Sequence, residues 1–387
     1  MRFLDLFRRK AETEDRSAER FTHGGPVPEW LGLQSATGIA VNEQTVENLA
    51  TVSACVGAIA SAIGSLPPRI YRPSGTGREE LTAHPVNRLL RAPWGLLTWP
   101  DWCEWAMSQA LLHGNALAEI LSDGRGTITG LRPIPWRHVQ PAVLPDGRQV
   151  FHVSLPGEQR RRLTAAQVFY IKDRSDDGLV GRSRISRAPD AVGNAISLQA
   201  FSAHAWANQA QPSGAVEIDG ALNQANYERL RAQFTQNYTG PKHAGKVLIL
   251  DNKAQWKSIS VSPEDAEVLA SRRFSVEELC RLFQVPPPIV QDYTHNTFTN
   301  SAQASLWFAQ FSLAPWCRKI EAEFARTVFT GDDGAHLEID LSGLMRGDFE
   351  TRWKAWEIAV KNDILDRNEV REMEGWGPRA VTEAPVV

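Results

Sequence analysis

The stretch that decides how this chain is organised runs Arg281-Leu-Phe-Gln-Val285-Pro-Pro-Pro288-Ile-Val-Gln291-Asp-Tyr-Thr-His-Asn-Thr-Phe-Thr-Asn300. Three consecutive prolines end the helical pattern before them, because proline lacks an N–H and disfavours helical backbone in the residue that precedes it. The ten residues 291–300 are polar and carry a single formal charge, at Asp292. We therefore expect a helix that ends near Phe283, a polar loop, and a second helix.

Both flanking helices have local signals. Ser262-Pro263 opens the first, with proline in its first turn and three acidic residues close to the positive end of the helix dipole. An apolar stripe predicts the second helix over 301–328. Pro315 lies inside it and deprives the carbonyl of Phe311 of its helical donor, so we expect a bend between Phe311 and Pro315.

Away from this centre, helical and strand-like patterns follow one another. Residues 116–172 are strand-like and broken by turns, which predicts a β-rich layer. Thr98, three residues before Asp101, is typical of a helix start, and Gly114 follows the end of that helix. The remaining predicted helices cover 42–66, 98–112, 186–211, 224–238 and 346–361, and the remaining strands 69–72, 216–218, 247–250, 257–261 and 337–341.

Composition excludes several classes of protein. The chain has 387 residues, of which 42% are hydrophobic and 22% charged, so it is not a wholly disordered chain, a collagen or a coiled-coil rod. The formal net charge is −3, so bulk positive charge cannot supply DNA binding, and any such contact must come from local geometry. Thirteen tryptophans fit large apolar contacts, including contacts between subunits.

The cysteines and the apolar runs exclude further classes. Cys55, Cys103, Cys280 and Cys317 form no C-x-x-C pair, which predicts reduced thiols rather than a disulfide framework or a zinc site. No apolar run reaches the roughly 18 residues of a membrane span. We expect no membrane association, no metal and no cofactor.

One pattern offers a catalytic alternative. Residues 240–246, Gly-Pro-Lys-His-Ala-Gly-Lys, fit the G-x-x-x-x-G-K phosphate loop, but Val247 stands where a Ser or Thr should reach Mg²⁺. A helix precedes the loop and a strand follows, whereas a phosphate cradle needs a following helix whose N-terminus faces the phosphates. A nucleotide-binding enzyme built on Gly240–Lys246 stays an alternative to our expectation that the protein is not an enzyme.

Other reactive-looking patterns are incomplete. The stretch from Gly181 through Ser183 has Ile185 in place of the closing glycine of a nucleophile elbow. Asp173, Asp176 and Asp177 lack the alternation of a calcium loop and indicate a solvated turn. The nine histidines show no metal-ligand spacing, so we predict no catalytic residues.

Several short motifs, in order, resemble the portal proteins of tailed bacteriophages, in particular the compact Hong Kong ninety-seven type, over residues 42–375. Arg281-Leu-Phe283 with Val285-Pro-Pro287 is the most recognisable of them. The order and spacing of the pieces are specific, although each is weak alone. The others are Val52–Val56, Ile59-Ala60, Ile63–Pro67, His84-Pro85, Leu89-Leu90, Gly114-Asn115-Ala116, Pro212–Gly214, Tyr238–Gly240, Ala244–Leu250, Pro315, Ile320-Glu321, Arg346, Asp348, Arg352 and Asn368–Arg371.

Three positions depart from the family pattern. Gln284 stands where the family usually has glycine, Leu117 replaces a usual aromatic residue, and Arg184 replaces a usual proline. We expect these departures to change local turns and to leave the overall order intact.

The resemblance implies an α+β portal fold with a wing, a two-helix stem, an α/β clip, a tunnel loop and a short helical crown. Residues 1–35, charged and then rich in Gly and Pro, are interpreted as a mobile N-terminal arm. The other segments are the N-terminal part of the wing (36–185), the stem helices (186–211 and 263–284), the clip (212–262), the tunnel loop (285–300), the kinked helix and strand of the wing (301–341), and the crown with the C-terminal tail (342–387).

The same resemblance implies a function without catalysis. The chain would be one subunit of a dodecameric ring at one capsid vertex of the virion, through which double-stranded DNA passes during packaging and ejection. The implied partners are further copies of the chain, the DNA, terminase, the major capsid protein and an adaptor or head-completion protein. Assembly would take place in the bacterial host cytoplasm, for a bacteriophage or a gene transfer agent. Another structural head protein, such as an adaptor, is the second alternative.

Two groups of site residues follow from the resemblance. The polar loop offers hydroxyl and amide groups that make weak, exchangeable contacts with phosphate and water, without Lys or Arg to hold DNA. Its candidate channel residues are Gln291, Tyr293, Thr294, His295, Asn296, Thr297, Phe298, Thr299 and Asn300. The candidate contacts of the clip with terminase or adaptor are Lys242, Lys246, Lys253 and Lys257.

Overall fold

The computed structural model of the chain divides it into two compact units. The first comprises Met1–Pro26, Ala54–Arg184 and Phe283–Val387, and the second comprises Val27–Ser53 and Ile185–Leu282. The structure describes residues 20–21, 33–75, 77–207, 214–217, 224, 228, 255–258, 263–293, 298–330, 334–342, 349–374 and 376–377.

Helices and strands are interspersed along the described ranges. The helices are α1 (Glu43–Glu47), α2 (Ala50–Ser65), α3 (Val86–Arg91), α4 (Trp99–His113), α5 (Arg184–Arg187), α6 (Pro189–Ala207), α7 (Pro263–Phe283), α8 (Phe298–Trp307), α9 (Ala314–Thr327), α10 (Phe349–Lys361) and α11 (Arg367–Met373). The strands are β1 (Arg20–Phe21), β2 (Leu33–Gln34), β3 (Ala40–Val41), β4 (Pro68–Ser74), β5 (Gly77–Glu80), β6 (Asn115–Ser122), β7 (Ile128–Ile134), β8 (Val139–Val143), β9 (Gln149–Val153), β10 (Arg161–Thr164), β11 (Val168–Lys172), β12 (Gly214–Glu217), β13 (Gln255–Ser258) and β14 (His336–Ile339).

The first unit is built on antiparallel sheets with strand orders β11-β6-β7, β1-β8-β9-β10 and β14-β4-β5. In the first of these, Ala118 of β6 lies opposite Phe169, and Leu117 lies opposite Ile134. The first five residues of β6 are buried, because strands pair with both of its edges and side chains pack on both of its faces. The β-rich layer expected over 116–172 is confirmed.

An aromatic cluster forms the centre of the first unit. The ring of Trp102 on α4 lies 5.4 Å from that of Phe169 on β11, which in turn lies 4.9 Å from the ring of Phe324 on α9. The indole N–H of Trp102 donates a hydrogen bond to the Leu131 carbonyl at 3.2 Å. Burial of such large side chains is the main favourable term in holding α4 and α9 against the sheet.

Both ends of α4 follow the local signals in the sequence. Thr98 and Asp101 form a capping box in which the Thr98 backbone N–H donates to Asp101 Oδ2 at 3.1 Å. The hydrogen bonds from Thr98 lower the pKa of the Asp101 carboxyl. At the other end, Gly114 has a φ of 81°, a left-handed conformation that glycine adopts without steric cost. The helix start and the glycine stop are confirmed.

Helix α9 satisfies backbone donors of two sheets. Glu323 Oε1 accepts a hydrogen bond from the N–H of Tyr170 in β11 at 2.6 Å, and Glu321 Oε1 accepts one from the N–H of Ile339 in β14 at 2.8 Å. Ile320, the residue before Glu321, is 1% exposed. These contacts give a physical reason for the Ile320-Glu321 motif, because they fix the helix to both strands.

The second unit brings the end of the predicted arm against α6. Strand β2 pairs with β3, and the Ala36 N–H after β2 donates to Asp190 Oδ1 at 2.7 Å. A Cβ at Gly193 would lie 2.3 Å from Ser35 Oγ, so only glycine permits this close approach. Strand β12 pairs with β13 in the same unit.

Several element boundaries differ from the prediction. The helix expected over 42–66 is two helices, because α1 ends in a cap at Asn48 and α2 begins at Ala50. The helix expected over 186–211 is interrupted before Pro189, which has no N–H to continue the preceding turn, α5. The sequence patterns do not predict helices α3 and α11. The strand expected over 247–250 and most of the helix expected over 224–238 lie outside the described residues.

All four cysteines are buried thiols, which leads to a chemical prediction. Burial raises the pKa of the Cys317 thiol to about 12 and that of Cys103 well above its usual range. Because the thiolate is the reactive form, we expect a thiol reagent such as Ellman's to modify none of the four in the folded chain and all four in guanidinium. Rapid labelling of any cysteine before unfolding would contradict this burial.

Candidate functional site

The polar loop starts from a rigid backbone segment. After α7 ends at Phe283, Gln284 takes a left-handed φ of 58°, and Pro287–Val290 forms a short 3₁₀ helix. The N–H groups of Ile289 and Asp292 donate to the carbonyls of Pro286 and Pro287, at 2.9 and 3.0 Å. We call residues 284–293 the loop entrance. Its proline φ angles and internal hydrogen bonds restrict the backbone between Pro286 and Asp292.

Two non-glycine residues of the loop entrance are left-handed. Gln284 and Gln291 have φ angles of 58° and 64°, a conformation that costs an L-residue about 1–2 kcal/mol. The first of them stands where the resembling family usually has glycine, and the backbone shows why glycine suits that position. Such strain persists only where surrounding contacts hold the backbone in place.

Two side chains hold the carbonyls at the start of the loop entrance. Ser312 Oγ donates to the carbonyl of Gln284, and Arg184 Nη1 donates to the carbonyl of Phe283 at 2.5 Å. Carbonyls at the end of a helix have no donor within the helix, so both bonds satisfy groups that would otherwise need water. The bond from the guanidinium is the stronger type, because the donor is charged.

Arg184 is itself held by a partly buried carboxylate and an aromatic ring. Its Nε donates to Asp173 Oδ2 at 2.8 Å, and the two side chains are 12% and 11% exposed. The guanidinium lies 5.8 Å from the ring centre of Trp316, and the amino group of Lys319 lies 4.6 Å from the same ring. Partial desolvation lowers the pKa of Lys319, whose amino group donates to the Lys172 carbonyl at 2.8 Å.

A buried polar network fixes the backbone on either side of Asp173 and Arg184. Asn115, 0% exposed, donates to the Gly181 carbonyl and accepts from the Gly181 N–H, each at 2.8 Å. The Tyr170 hydroxyl donates to the same Asn115 oxygen at 2.5 Å, and burial raises the pKa of that hydroxyl. The Asp173 N–H donates to the Gly114 carbonyl at 2.8 Å. The Gly-Asn-Ala motif thus joins the end of α4 to the segment that carries Arg184.

The structure describes part of the predicted channel set. Gln291 and Tyr293 are exposed, the tyrosine to 60%. Residues 298–300 form the first turn of α8, so this helix starts three residues earlier than predicted and the loop is correspondingly shorter. Thr294, His295, Asn296 and Thr297 lie outside the described residues.

The structure describes only one of the four candidate clip lysines. Lys257 lies in β13, where it pairs in register with Ala215. Lys242, Lys246 and Lys253 lie outside the described residues, as does the alternative phosphate loop 240–246. In the part of the chain that the structure describes, no group of three or more metal-ligating side chains is gathered, and no helix is long and apolar enough to cross a membrane.

The helix after the loop is interrupted, but the interruption differs from the predicted one. Residues Phe308–Leu313 form a π-helical segment between α8 and α9, and Pro315 lies in the first turn of α9. A first-turn proline needs no N–H donor, so the irregular hydrogen bonding falls just before Pro315 rather than at it. The π-helical segment contains Ser312, the residue that holds Gln284.

Sequence reasoning missed the residues that hold the loop entrance. The sequence predicts a solvated turn at Asp173, and a changed local turn with the overall order intact at Arg184. The first prediction is wrong, because the Asp173 side chain is 11% exposed and is paired with Arg184. The second is compatible with the fold but does not foresee that Arg184 bonds the Phe283 carbonyl. An ion pair between two residues 11 apart in an irregular segment leaves no spacing pattern, so the family departure at Arg184 was the one signal in the sequence.

Known proteins resemble this chain over most of its length. The family model described as phage portal protein matches residues 50–375. The probable portal protein of Streptomyces phage phiC31 is 29% identical over 361 residues, covering 90% of this chain and 79% of the relative. The portal protein of Enterobacteria phage HK97 is 26% identical over 349 residues, covering 88% and 81%.

Solved structures have the same fold. A chain from the neck of a native gene transfer agent particle, computed with C12 symmetry, has a TM-score of 0.61 and is 22% identical, covering 87% of this chain and 94% of that chain.

Proposed function

Because the chain belongs to the phage portal protein family, we propose that twelve copies of it form a ring whose central channel passes double-stranded DNA. It is a portal protein, the connector between head and tail in phage-like particles. The observation that carries the proposal is the family match over residues 50–375. The number twelve is supported by the symmetry of the solved neck that shares the fold.

The ring sits at one vertex of the capsid, after assembly in the cytoplasm of the bacterial host, and it contacts the major capsid protein. The clip, residues 212–262, docks terminase during packaging and an adaptor afterwards. Lys242, Lys246, Lys253 and Lys257 supply positive charge for those contacts. Energy for packaging comes from the terminase in this scheme, and residues 240–246 are a connector within the clip.

The tunnel loop, residues 285–300, surrounds the moving DNA. Support comes from the exposed Gln291 and Tyr293, which are polar or amphipathic and carry no positive charge. A ring of such residues contacts phosphate only weakly, whereas each neutralised phosphate would add affinity through counterion release. The hydrogen bonds within the loop entrance restrict the backbone that carries Gln291 and Tyr293.

Replacing Tyr293–Thr297 with glycine and serine at unchanged length tests this role. We expect rings to assemble as in the wild type, because little apolar core is lost and α8 keeps its first residue, Phe298. The yield of particles with full-length packaged DNA should fall to a small fraction of the wild-type yield. Negative-stain images and light scattering report assembly, and the DNA content of purified particles reports packaging.

The matched control is the same replacement of residues 145–148, the exposed turn between β8 and β9, which should leave packaging unchanged. Normal packaging by the 293–297 variant would show that the loop does not act on DNA. A wild-type chain that stays monomeric at all concentrations and salts would contradict the ring itself.

A further inference from the structure

We propose that Arg184 is a positioning residue that sets the path of the loop entrance, and through it the placement of Gln291 and Tyr293. The inference rests on the proposed function only in its consequence for DNA. Its structural part stands on contacts within the first unit, because Arg184 and residues from Phe283 onward both belong to it. The guanidinium makes two directed bonds at once, to Asp173 and to the Phe283 carbonyl.

The geometry at Phe283 explains why a fixed donor is needed there. After α7 the chain continues into Gln284, which has a left-handed backbone conformation. An L-residue keeps that conformation only where surrounding contacts constrain it. Arg184 donates to the carbonyl of Phe283, just before the Gln284 N–H, and Ser312 donates to the carbonyl of Gln284 itself. Together the two donors fix the orientation of two successive peptide planes, and the proline-rich segment transmits that orientation to residue 293.

Burial makes the Arg184 contact a fixed one rather than a surface contact that opens and closes. Its partner Asp173 is 11% exposed, and its two carboxylate oxygens accept from the Arg184 side chain and the Arg174 N–H, each at 2.8 Å. The Asp173 backbone is bonded to Gly114 at the end of α4. Loss of the guanidinium would remove the charged donor that is bonded to this partly buried carboxylate.

Lysine cannot replace this arginine in its role. The guanidinium fork presents Nε to Asp173 and Nη1 to Phe283 in a fixed plane, whereas one ammonium group on a flexible chain can satisfy only one of the two well. The exposed pair Arg182–Asp176, two residues before Arg184, provides a matched control. Its atoms are 3.3 Å apart and its side chains are 50% and 55% exposed.

The test compares Arg184→Lys, Arg184→Gln and Arg182→Gln in assembled full-length rings. Hydrogen exchange of a peptide covering residues 286–293 reports the loop entrance through the Ile289, Gln291 and Asp292 amides, which are bonded within it. We expect exchange there to be about tenfold faster in both Arg184 variants, unchanged in Arg182→Gln, and unchanged in a peptide from β6 in all three. Arg184→Lys, which keeps the charge, guards against a variant that merely fails to fold.

Each outcome decides the inference. Unchanged exchange over 286–293 in the Arg184 variants overturns it, and so does an equal rise in β6, because that would mean general destabilisation. Faster local exchange with a loss of packaged DNA supports both the inference and the tunnel-loop role. Faster local exchange with normal packaging supports the positioning by Arg184 and overturns the action of the loop on DNA.

Discussion

Gly181→Ala is expected to destabilise the first unit by roughly 3 kcal/mol or more, because the new Cβ has no room. It would lie 2.1 Å from the carbonyl oxygen of Gly114 and 2.9 Å from the backbone nitrogen of Asp173. Both neighbours are backbone atoms, so no side-chain rotation relieves the clash. The shift would also pull Gly181 away from its two hydrogen bonds with the buried Asn115.

Chemical denaturation of purified rings, followed by circular dichroism, measures this loss. Gly124→Ala is the matched control, because a Cβ there meets nothing within 4 Å and its φ is not left-handed. The control should change stability by no more than about 0.5 kcal/mol. Equal stability of the two variants would show that the backbones of Gly114 and Gly181 do not approach each other this closely.

Trp102→Ala is expected to cost about 3–5 kcal/mol, the range measured for truncating a large buried aromatic side chain. Trp102 is 1% exposed, packs edge-on against Phe169 and donates to the Leu131 carbonyl. The alanine variant leaves a cavity between α4 and the sheet that the paired strands cannot fill by moving. In a protein of ordinary marginal stability this is a large share of the total.

Two further variants provide smaller stability losses for comparison with Trp102→Ala. Trp102→Phe keeps most of the volume and removes the indole N–H, so it should cost less than the alanine variant, about 1–2 kcal/mol. Leu96→Ala removes a side chain that is 100% exposed and should be close to neutral, within about 0.5 kcal/mol. The denaturant midpoint of unfolding, compared at equal denaturant slope, measures the order of stability of the three variants. A Trp102→Ala variant as stable as Trp102→Phe would contradict the prediction.

Local sequence signals predicted the elements that are built from neighbouring residues. The Thr98–Asp101 capping box, the glycine stop at Gly114 and the end of α7 before the prolines each depend on backbone groups within a few residues. Such signals failed where a single residue interrupts a helical pattern. Asn48 and Pro189 each divide one predicted helix into two.

The interruption before Pro315 shows a different limit. Proline predicts that the hydrogen bonding will change, but sequence alone does not say whether the helix bends or widens into a π-helical segment. Here the segment Phe308–Leu313 widens, and Ser312 within it contacts Gln284, which is 28 residues away in the chain. That contact joins the π-helical segment to the loop entrance.

The sequence by itself determined the family of this protein, its α+β composition and the order helix, prolines, polar loop, helix, because each follows from local backbone preferences and motif order. The structure decided what holds the loop in place. Arg184 donates a hydrogen bond to a carbonyl 99 residues later, and Asn115 donates one to the backbone of Gly181, 66 residues away. No periodicity encodes such pairs, since a directed hydrogen bond between distant segments depends on how the sheets and helices bring those segments together.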